Sequence, residues 1–255
     1  MEKLVILTGA TGGIGREIAA KLIQAGYLTV IVGRNREGSL ESLARELNEE
    51  FAGNNSTVET SRCIPIPADL TREDEVKELF CVVRTILEKE HAVSYGLIHC
   101  AGVSVVGLMQ DMTMAEWTKV LDTNLTSAFL LSREMVPLFI RQHEGRILFI
   151  SSVWGNVGAS MEVAYSASKG GLNTFAKALG RELAPSGISV NALACGFVDT
   201  KMNAHLTGEE REQLKEEIPM GRFTSGGEVA QMVMSMLTMP EYVTGQVITM
   251  DGGWT

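Results

Sequence analysis

The stretch Leu4-Val5-Ile6-Leu7-Thr8-Gly9-Ala10-Thr11-Gly12-Gly13-Ile14-Gly15 decides how this chain is read. Its four apolar residues, 4–7, suit a short buried strand, and its four glycines mark a tight turn. Beyond the turn Ile14, Ile18, Ala19, Leu22 and Ile23 recur at helical spacing, and Gly26 closes the helix. Strand, glycine-rich turn and helix in this order let a backbone approach a pyrophosphate, whose negative charge the helix N-terminus favours. Gly9, Thr11, Gly12, Gly13, Ile14 and Gly15 are the candidate contacts. The spacing is TGxxxGxG rather than GxGxxG, so a merely tight strand-to-helix turn is the competing reading.

Working outward, residues 28–32 read as a second strand that ends in Gly33-Arg34-Asn35. In dinucleotide folds an acid here takes the ribose 2′-hydroxyl, and a nearby arginine accommodates a 2′-phosphate. Gly33 stands where the acid is expected and Arg34 follows, which favours NADP over NAD. The bland alternative is that Arg34 is an ordinary solvated charge. A helix over 37–51 and a short strand over 63–68 come next, the strand made irregular by Pro65 and Pro67. Asp69 or Thr71 is a plausible cap for the helix that follows, and Asp69 is equally a candidate for the adenine amine. Residues 96–102 read as the fourth strand and its turn, where Ala101 and Gly102 permit close backbone approach. A long helical region, 114–139, is punctuated by Pro137. Asn124 inside it is mildly unfavourable by propensity, which invites a functional explanation.

Gly145 opens a fifth strand, whose apolar run 147–150 delivers Ser152 to its end. Tyr165 follows on a helix read over 164–183, with Lys169 one turn later on the same face. A phenol with a reference pKa of about 10 is a poor acid-base group at neutral pH, and a nearby ammonium should lower that value. Ser152 would then hydrogen-bond a carbonyl oxygen while Tyr165 supplies a proton. A tyrosine and lysine at this spacing also occur together by chance in many helices. A sixth strand over 188–194 leads to the turn at 195–200. The polar segment 201–223, with a short helix over 208–217, is placed to be a substrate lid. A helix over 228–238 and a strand over 246–250 end the chain. The alternation predicts a single α/β domain, 1–255, with a doubly wound parallel Rossmann-type sheet of about seven strands, helices on both faces and a lid over 199–225.

Composition sets the bounds. The chain has 255 residues, 45% hydrophobic, enough for a sizeable core. A net charge of −9 argues against a nucleic-acid or anionic-membrane surface. No apolar run reaches membrane-span length, and the N-terminus has no separate signal region. Cys63, Cys81, Cys100 and Cys195 form no CxxC pair, which suits a reduced cytoplasmic protein. His91, His99, His143 and His205 show no zinc spacing, and no metal is expected.

The ordered set TGATGGIG at 8–15, AG at 101–102, Asn124, Ser152, YSASK at 165–169 and the 195–200 turn resembles the short-chain dehydrogenase/reductase family over essentially the whole chain. The resemblance implies an oxidoreductase using NADP(H), with Tyr165 as general acid and Lys169 lowering its pKa and binding the nicotinamide ribose. Ser152 would polarise the carbonyl, and Asn124 would hold a proton-relay water. Cofactor contacts are implied for the glycine turn, Arg34, Asn35, Asp69, Leu70, Cys100, Ala101, Gly102, Tyr165 and Lys169. Gly196, Val198 through its backbone and Thr200 through its side chain would embrace the nicotinamide. A homotetramer is implied as well, although Phe129, Leu130, Phe175 and Leu179 fit core or interface equally. Two positions depart from the pattern. NNAG is here His99-Cys100-Ala101-Gly102, which removes an asparagine that would buttress the central strand. PG is Cys195-Gly196, where Cys195 is either thiol-reactive or, more simply, a small apolar filler.

Within the family the chain most resembles bacterial 3-oxoacyl-acyl-carrier-protein reductases, through PMGR at 219–222, EVA at 228–230 and the terminal MDGG. An acidic carrier protein calls for basic residues near the pocket mouth. His143 and Ser186 stand where arginines are usual, with Arg141 and Arg146 close by. SSVWGNVGASMEVAYS is similar, more narrowly, to reductases of 5-aminopentanone-modified elongation factor P, with Trp154 either shaping the pocket or simply packing. A reductase of small ketones and a non-catalytic dinucleotide-binding protein complete the alternatives.

Overall fold

The computed structural model describes residues 1–34, 38–52, 62–200 and 207–255. Asn35 and residues 201–206 of the expected lid lie outside the described residues. The chain alternates β1 (Glu2–Thr8), α1 (Gly13–Gln24), β2 (Leu28–Gly33), α2 (Ser39–Ala52), β3 (Cys63–Pro67), α3 (Glu73–Lys89) and β4 (Ala92–His99). Then come α4 (Met114–Leu121), α5 (Ser127–Gln142), β5 (Gly145–Ser152), the short α6 (Trp154–Val157), α7 (Val163–Leu183), β6 (Ile188–Cys195), α8 (Gly208–Glu217), α9 (Gly226–Leu237) and β7 (Val247–Met250).

The strands form one sheet in the order β3-β2-β1-β4-β5-β6-β7, and every pairing is parallel. Parallel strands need crossover helices, which cover both faces, so their sequences read as continuous apolar runs. In β5 and β6 all residues are buried. Successive residues of β1 serve opposite faces. Leu4 and Ile6 pack with Leu79, Phe80 and Val83 of α3 and Leu131 and Met135 of α5. Val5 and Leu7 pack with Ile18 and Leu22 of α1 and Val229 and Val233 of α9. Fully burying one such side chain contributes about 1.5–3 kcal/mol, so the sheet sits inside two apolar layers.

Strand order reverses between β1 and β4, so their C-terminal ends diverge and leave the crevice where open α/β sheets bind ligands. Register aligns those ends: Thr8 pairs with Val32 and with His99, His99 with Phe149, and Ser152 with Cys195. The glycine turn, the Ala101-Gly102 turn, Ser152 and the 195–200 turn therefore issue from one edge of the sheet.

Three local expectations change. The prolines of β3 sit on an edge strand bonded only to β2, where missing donors cost little. Neither Asp69 nor Thr71 caps α3, whose N-cap is Arg72. Asp69 instead closes the preceding turn, its Oδ1 accepting from the Thr71 N–H at 3.0 Å and the Thr71 hydroxyl at 2.8 Å. The long helical region is broken at Asn124: a π-helical turn, Asp122–Thr126, separates α4 from α5. Such turns insert an extra residue into the helical ladder and often mark functional positions.

Candidate active site

The glycine turn folds back on itself. Gly9 has φ +70°, and a Cβ there would lie 2.8 Å from the Ala101 nitrogen, while a Cβ on Gly15 would overlap the Gly9 carbonyl. Only glycine allows β1, α1 and the turn after β4 to meet so closely. Helices α4, α8 and α9 each begin with a capping box, through Thr113, Thr207 and Ser225. Helix α1 begins at Gly12 with no side-chain cap and no acid in its first turn. Its leading N–H groups are thus left for a ligand, and the helix dipole favours an anionic one. This cradle fits a dinucleotide pyrophosphate.

Arg34 is exposed just past β2, its Nη1 4.0 Å from Asp69 Oδ2. The structure thus brings together the two residues that sequence assigned to the adenosine end. So open an ion pair is worth little, which leaves the guanidinium available to a phosphate.

Beyond Ile14 a cavity of about 450 Å³ opens, lined also by Cys100, Gly102, Ser152, Tyr165, Lys169, Cys195, Gly196, Val198 and Thr200. Strand β5 places Ser152 at its wall, where the Ser152 Oγ accepts the Trp154 N–H at 3.2 Å. Tyr165 projects from the first turn of α7 and hydrogen-bonds Ser152. Lys169, one turn on and buried, donates from Nζ to the Ile150 carbonyl at 2.8 Å. Asn124 is fully buried. Its Oδ1 accepts the Val103 N–H at 2.8 Å, and its Nδ2 donates to the Val103 carbonyl and the Ser168 Oγ, both at 2.9 Å. Ser168 in turn donates to the Tyr165 carbonyl at 2.7 Å. Both amide hydrogens of Asn124 are used in this way, so a relay water would meet Oδ1 or the main chain.

The expected electrostatics of the tyrosine–lysine pair are corrected. Burial raises the Tyr165 phenol well above its ordinary value, the hydrogen bond with Ser152 offsets part of this, and the Glu162 charge adds to the rise. Lys169 Nζ lies 5.6 Å from the ring centroid and is turned to a carbonyl, and burial lowers its own pKa to about 8. Spacing placed the two groups on one face, but desolvation of the phenol dominates and Lys169 is turned to the Ile150 carbonyl. Burial thus favours the protonated phenol.

Cys195 is buried, and burial pushes its thiol up to about 12, with Cys100 likewise raised to about 11. Neither is a reactive thiolate, so the filler reading holds. Trp154 lines the cavity and meets Trp254 edge to face, with centroids 4.9 Å apart. Ser104, Glu162 and Trp254 complete the cavity lining and were missed in the sequence, because they arrive from separate loops with no common spacing. His99 stands where the family pattern has an asparagine. It is fully buried and hydrogen-bonds Thr8 Oγ1 at 3.0 Å and Ser127 Oγ at 3.3 Å, so the missing asparagine's buttress is replaced. Arg146, considered for a carrier protein, is also buried, its Nη1 bonded to the Gly145 carbonyl and its Nη2 3.5 Å from Glu241. It offers no surface charge, whereas Arg141 is exposed.

Comparison with known proteins agrees with this geometry. Residues 3–211 match the family model for short chain dehydrogenases. The chain is 35% identical to the uncharacterized oxidoreductase YmfI of Bacillus subtilis, across 100% of this chain and 99% of that one. It is 36% identical to the 3-oxoacyl-[acyl-carrier-protein] reductase FabG of Aquifex aeolicus, across 98% and 96%. A crystal structure of an actinorhodin polyketide ketoreductase with NADPH superposes with a TM-score of 0.88 at 31% identity, covering 99% of this chain and 97% of that one. Glycine turn, switch-point crevice and Ser-Tyr-Lys wall are thus those of a family that binds nicotinamide dinucleotides, and the chain belongs to the short-chain dehydrogenases, a group of oxidoreductases.

Proposed function

We propose that the protein is an NADPH-dependent reductase that turns a ketone into a secondary alcohol, with 3-oxoacyl thioesters, free or on a carrier protein, among its substrates. The observation that carries the reading is the hydrogen-bonded pair of Ser152 and Tyr165 hydroxyls on the wall of the cavity that the uncapped α1 also enters. A nicotinamide bound by the glycine turn and the 195–200 turn would supply the hydride for the carbonyl carbon. The Ser152 hydroxyl orients the carbonyl oxygen and stabilises the charge that develops on it. Tyr165 gives its phenolic proton to that oxygen, completing the alcohol, and regains a proton from solvent. Lys169, close to the phenol, stabilises the transient phenolate with its charge and offers a donor to the cofactor ribose. Asn124 acts through Ser168, fixing the first turn of α7. The 3-oxoacyl substrate is supported by the relatives' names, and NADPH by Arg34 and by the ketoreductase complex.

The remaining expectations join this reading. The chain acts as one domain in the cytoplasm, a setting consistent with four free cysteines. Helix α8, from the described part of the expected lid, covers the cavity and contributes Leu214 to its wall. Copies associate as a tetramer through faces such as that of Phe129, which is exposed on α5. Among the described residues no helix is long and apolar enough to cross a membrane, and no group of potential ligands is arranged to hold a metal.

The test is NADPH and NADH oxidation against acetoacetyl thioesters on carrier protein and on coenzyme A, and against simple ketones. Ketone-dependent NADPH turnover is expected, and its absence with every ketone overturns the reading. Arg34→Ala should lower the NADPH-over-NADH preference by about tenfold to a hundredfold, the worth of a charge-assisted hydrogen bond to phosphate. An unchanged preference removes Arg34 from the 2′-phosphate site.

A further inference from the structure

Among the described residues three that are not glycine hold a positive φ: His91 at +47°, His143 at +54° and Met161 at +63°. The first two close helices. His91 comes just after the C-cap of α3, and His143 is the C-cap of α5, where a left-handed residue ordinarily ends a helix. Met161 ends none. It stands before the first residue of α7, Val163. A methionine also lacks the short polar side chain that makes this conformation tolerable to asparagine or aspartate.

Neighbouring bonds fix Met161 in place. Its carbonyl accepts the Gly107 N–H at 2.8 Å. On one side the Ala159 N–H donates to Ser166 Oγ at 3.0 Å, and on the other Glu162 Oε1 accepts the Ser104 hydroxyl at 2.6 Å. A residue persists in such a conformation only where its surroundings over-determine it, and such residues gather at ligand sites.

Packing does not offset the strain. Met161 is 46% exposed, so the core makes little use of its side chain, and it lines the cavity that holds Ser152 and Tyr165. Val106 precedes the Gly107 that binds Met161. It lines the same cavity and is 52% exposed. Two half-exposed apolar side chains, joined across separate loops by one backbone bond, thus form a lip on the cavity. Methionine is unbranched and polarisable, and it adapts to apolar partners of varied shape.

We propose that Met161 is a specificity-determining residue, held in its left-handed conformation so that, with Val106, it covers an apolar chain extending from the substrate carbonyl. This rests on the reductase reading and names the residue that reads the chain. The occupant is the substrate itself, because the lip is continuous with the cavity wall that carries Ser152 and Tyr165. Each methylene that the lip removes from water should raise kcat/KM by up to about fourfold.

The experiment uses NADPH, the full-length protein and a homologous series of unbranched methyl ketones, from a two-carbon to a six-carbon alkyl tail. Across the series kcat/KM should rise by at least about tenfold. Met161→Ala keeps the strained backbone and loses the chain, whereas Met161→Gly loses both. Both variants should flatten the rise to less than about threefold, and Met161→Leu should restore most of it. Glycine adopts this φ freely, so Met161→Gly should melt close to the wild type or above it. Turnover that does not rise along the series, or a rise that survives both variants, overturns the proposal and leaves the reductase reading standing. A Met161→Gly protein that melts far below the wild type also overturns it, since the side chain is then a structural prop. Quenching of Trp154 and Trp254, which line the cavity, reports binding where no ketone is reduced. Affinity that climbs along the series in the wild type and stays level in the variants sustains the lip and overturns the reductase reading. Affinity that stays level in the wild type, with no turnover, overturns both.

Discussion

Replacing Tyr165 with Phe should reduce ketone-dependent NADPH oxidation by about a hundredfold to ten-thousandfold, the usual contribution of a positioned general acid, with NADPH affinity nearly unchanged. The substitution removes only the oxygen that hydrogen-bonds Ser152. The ring keeps its place at the start of α7, and the Ser168 bond to the Tyr165 main chain persists. The variant should therefore fold, and a low rate reports chemistry. The pH profile adds a second readout. Burial keeps the wild-type phenol protonated through the neutral range, so deprotonation of Tyr165 does not limit the rate there. Lys169, lowered to about 8 by burial, is charged below that pH and neutral above it. If its charge stabilises the transient phenolate, the rate should fall as pH rises through about 8. Turnover by the Phe variant within tenfold of wild type would show that another group supplies the proton.

The placing of Tyr165 and Lys169 together was legible because it depends on one helical turn: residues four apart share a face whatever surrounds them. Ser152 was legible because a run of apolar residues ended at it. The electrostatics were not. Whether Lys169 lowers the Tyr165 pKa depends on how much water the neighbouring segments exclude, and those come from β4, β6 and the 195–200 turn. The rest of the cavity lining was equally hidden. Ser104, Glu162 and Trp254 belong to three separated parts of the chain, and only the sheet order brings them to one cavity. Glu162 looked like an ordinary residue before a helix, and its missing capping bond is a fact of geometry.

The sheet was legible for a related reason. Continuous apolar runs alternating with amphipathic helices admit few arrangements other than a parallel sheet covered on both faces. What escaped were irregularities whose cause is tertiary. The prolines of β3 are tolerated because the strand is an edge, and edge position is a property of the sheet. The π-helical turn at Asn124 leaves no mark on apolar periodicity, since it shifts the helical ladder by one residue. It brings the Asn124 side chain to Val103 and Ser168, and so joins the loop after β4 to α7.

His99 gives the structure an acid-sensitive joint at the same place. Thr8 Oγ1 accepts the N–H groups of Cys100 and Ala101 at 3.1 and 3.0 Å, so its own hydrogen goes to His99 Nδ1. Ser127 Oγ donates to the Thr123 carbonyl at 2.6 Å, which leaves it to accept from His99 Nε2–H. These partners assign the neutral Nε2–H tautomer. A proton on Nδ1 would oppose the Thr8 hydrogen, and burial together with the Lys169 charge lowers the imidazole pKa to about 3. Between about 6.5 and 3, then, the unfolded chain binds a proton that the folded chain refuses. The stability associated with neutral His99 is fully present above pH 6.5 and is lost as pH falls. At pH 4 the loss is about 3.5 kcal/mol, from 2.5 units below the unfolded value at roughly 1.4 kcal/mol each. His99→Asn should cost about 1–3 kcal/mol at pH 7.5 by disturbing the buried bonds. That deficit should shrink steadily on acidification and vanish or reverse by pH 4, as read from urea unfolding of both proteins across the range. Parallel stability curves would mean that the imidazole accepts its proton in the folded state and that the tautomer assignment is wrong.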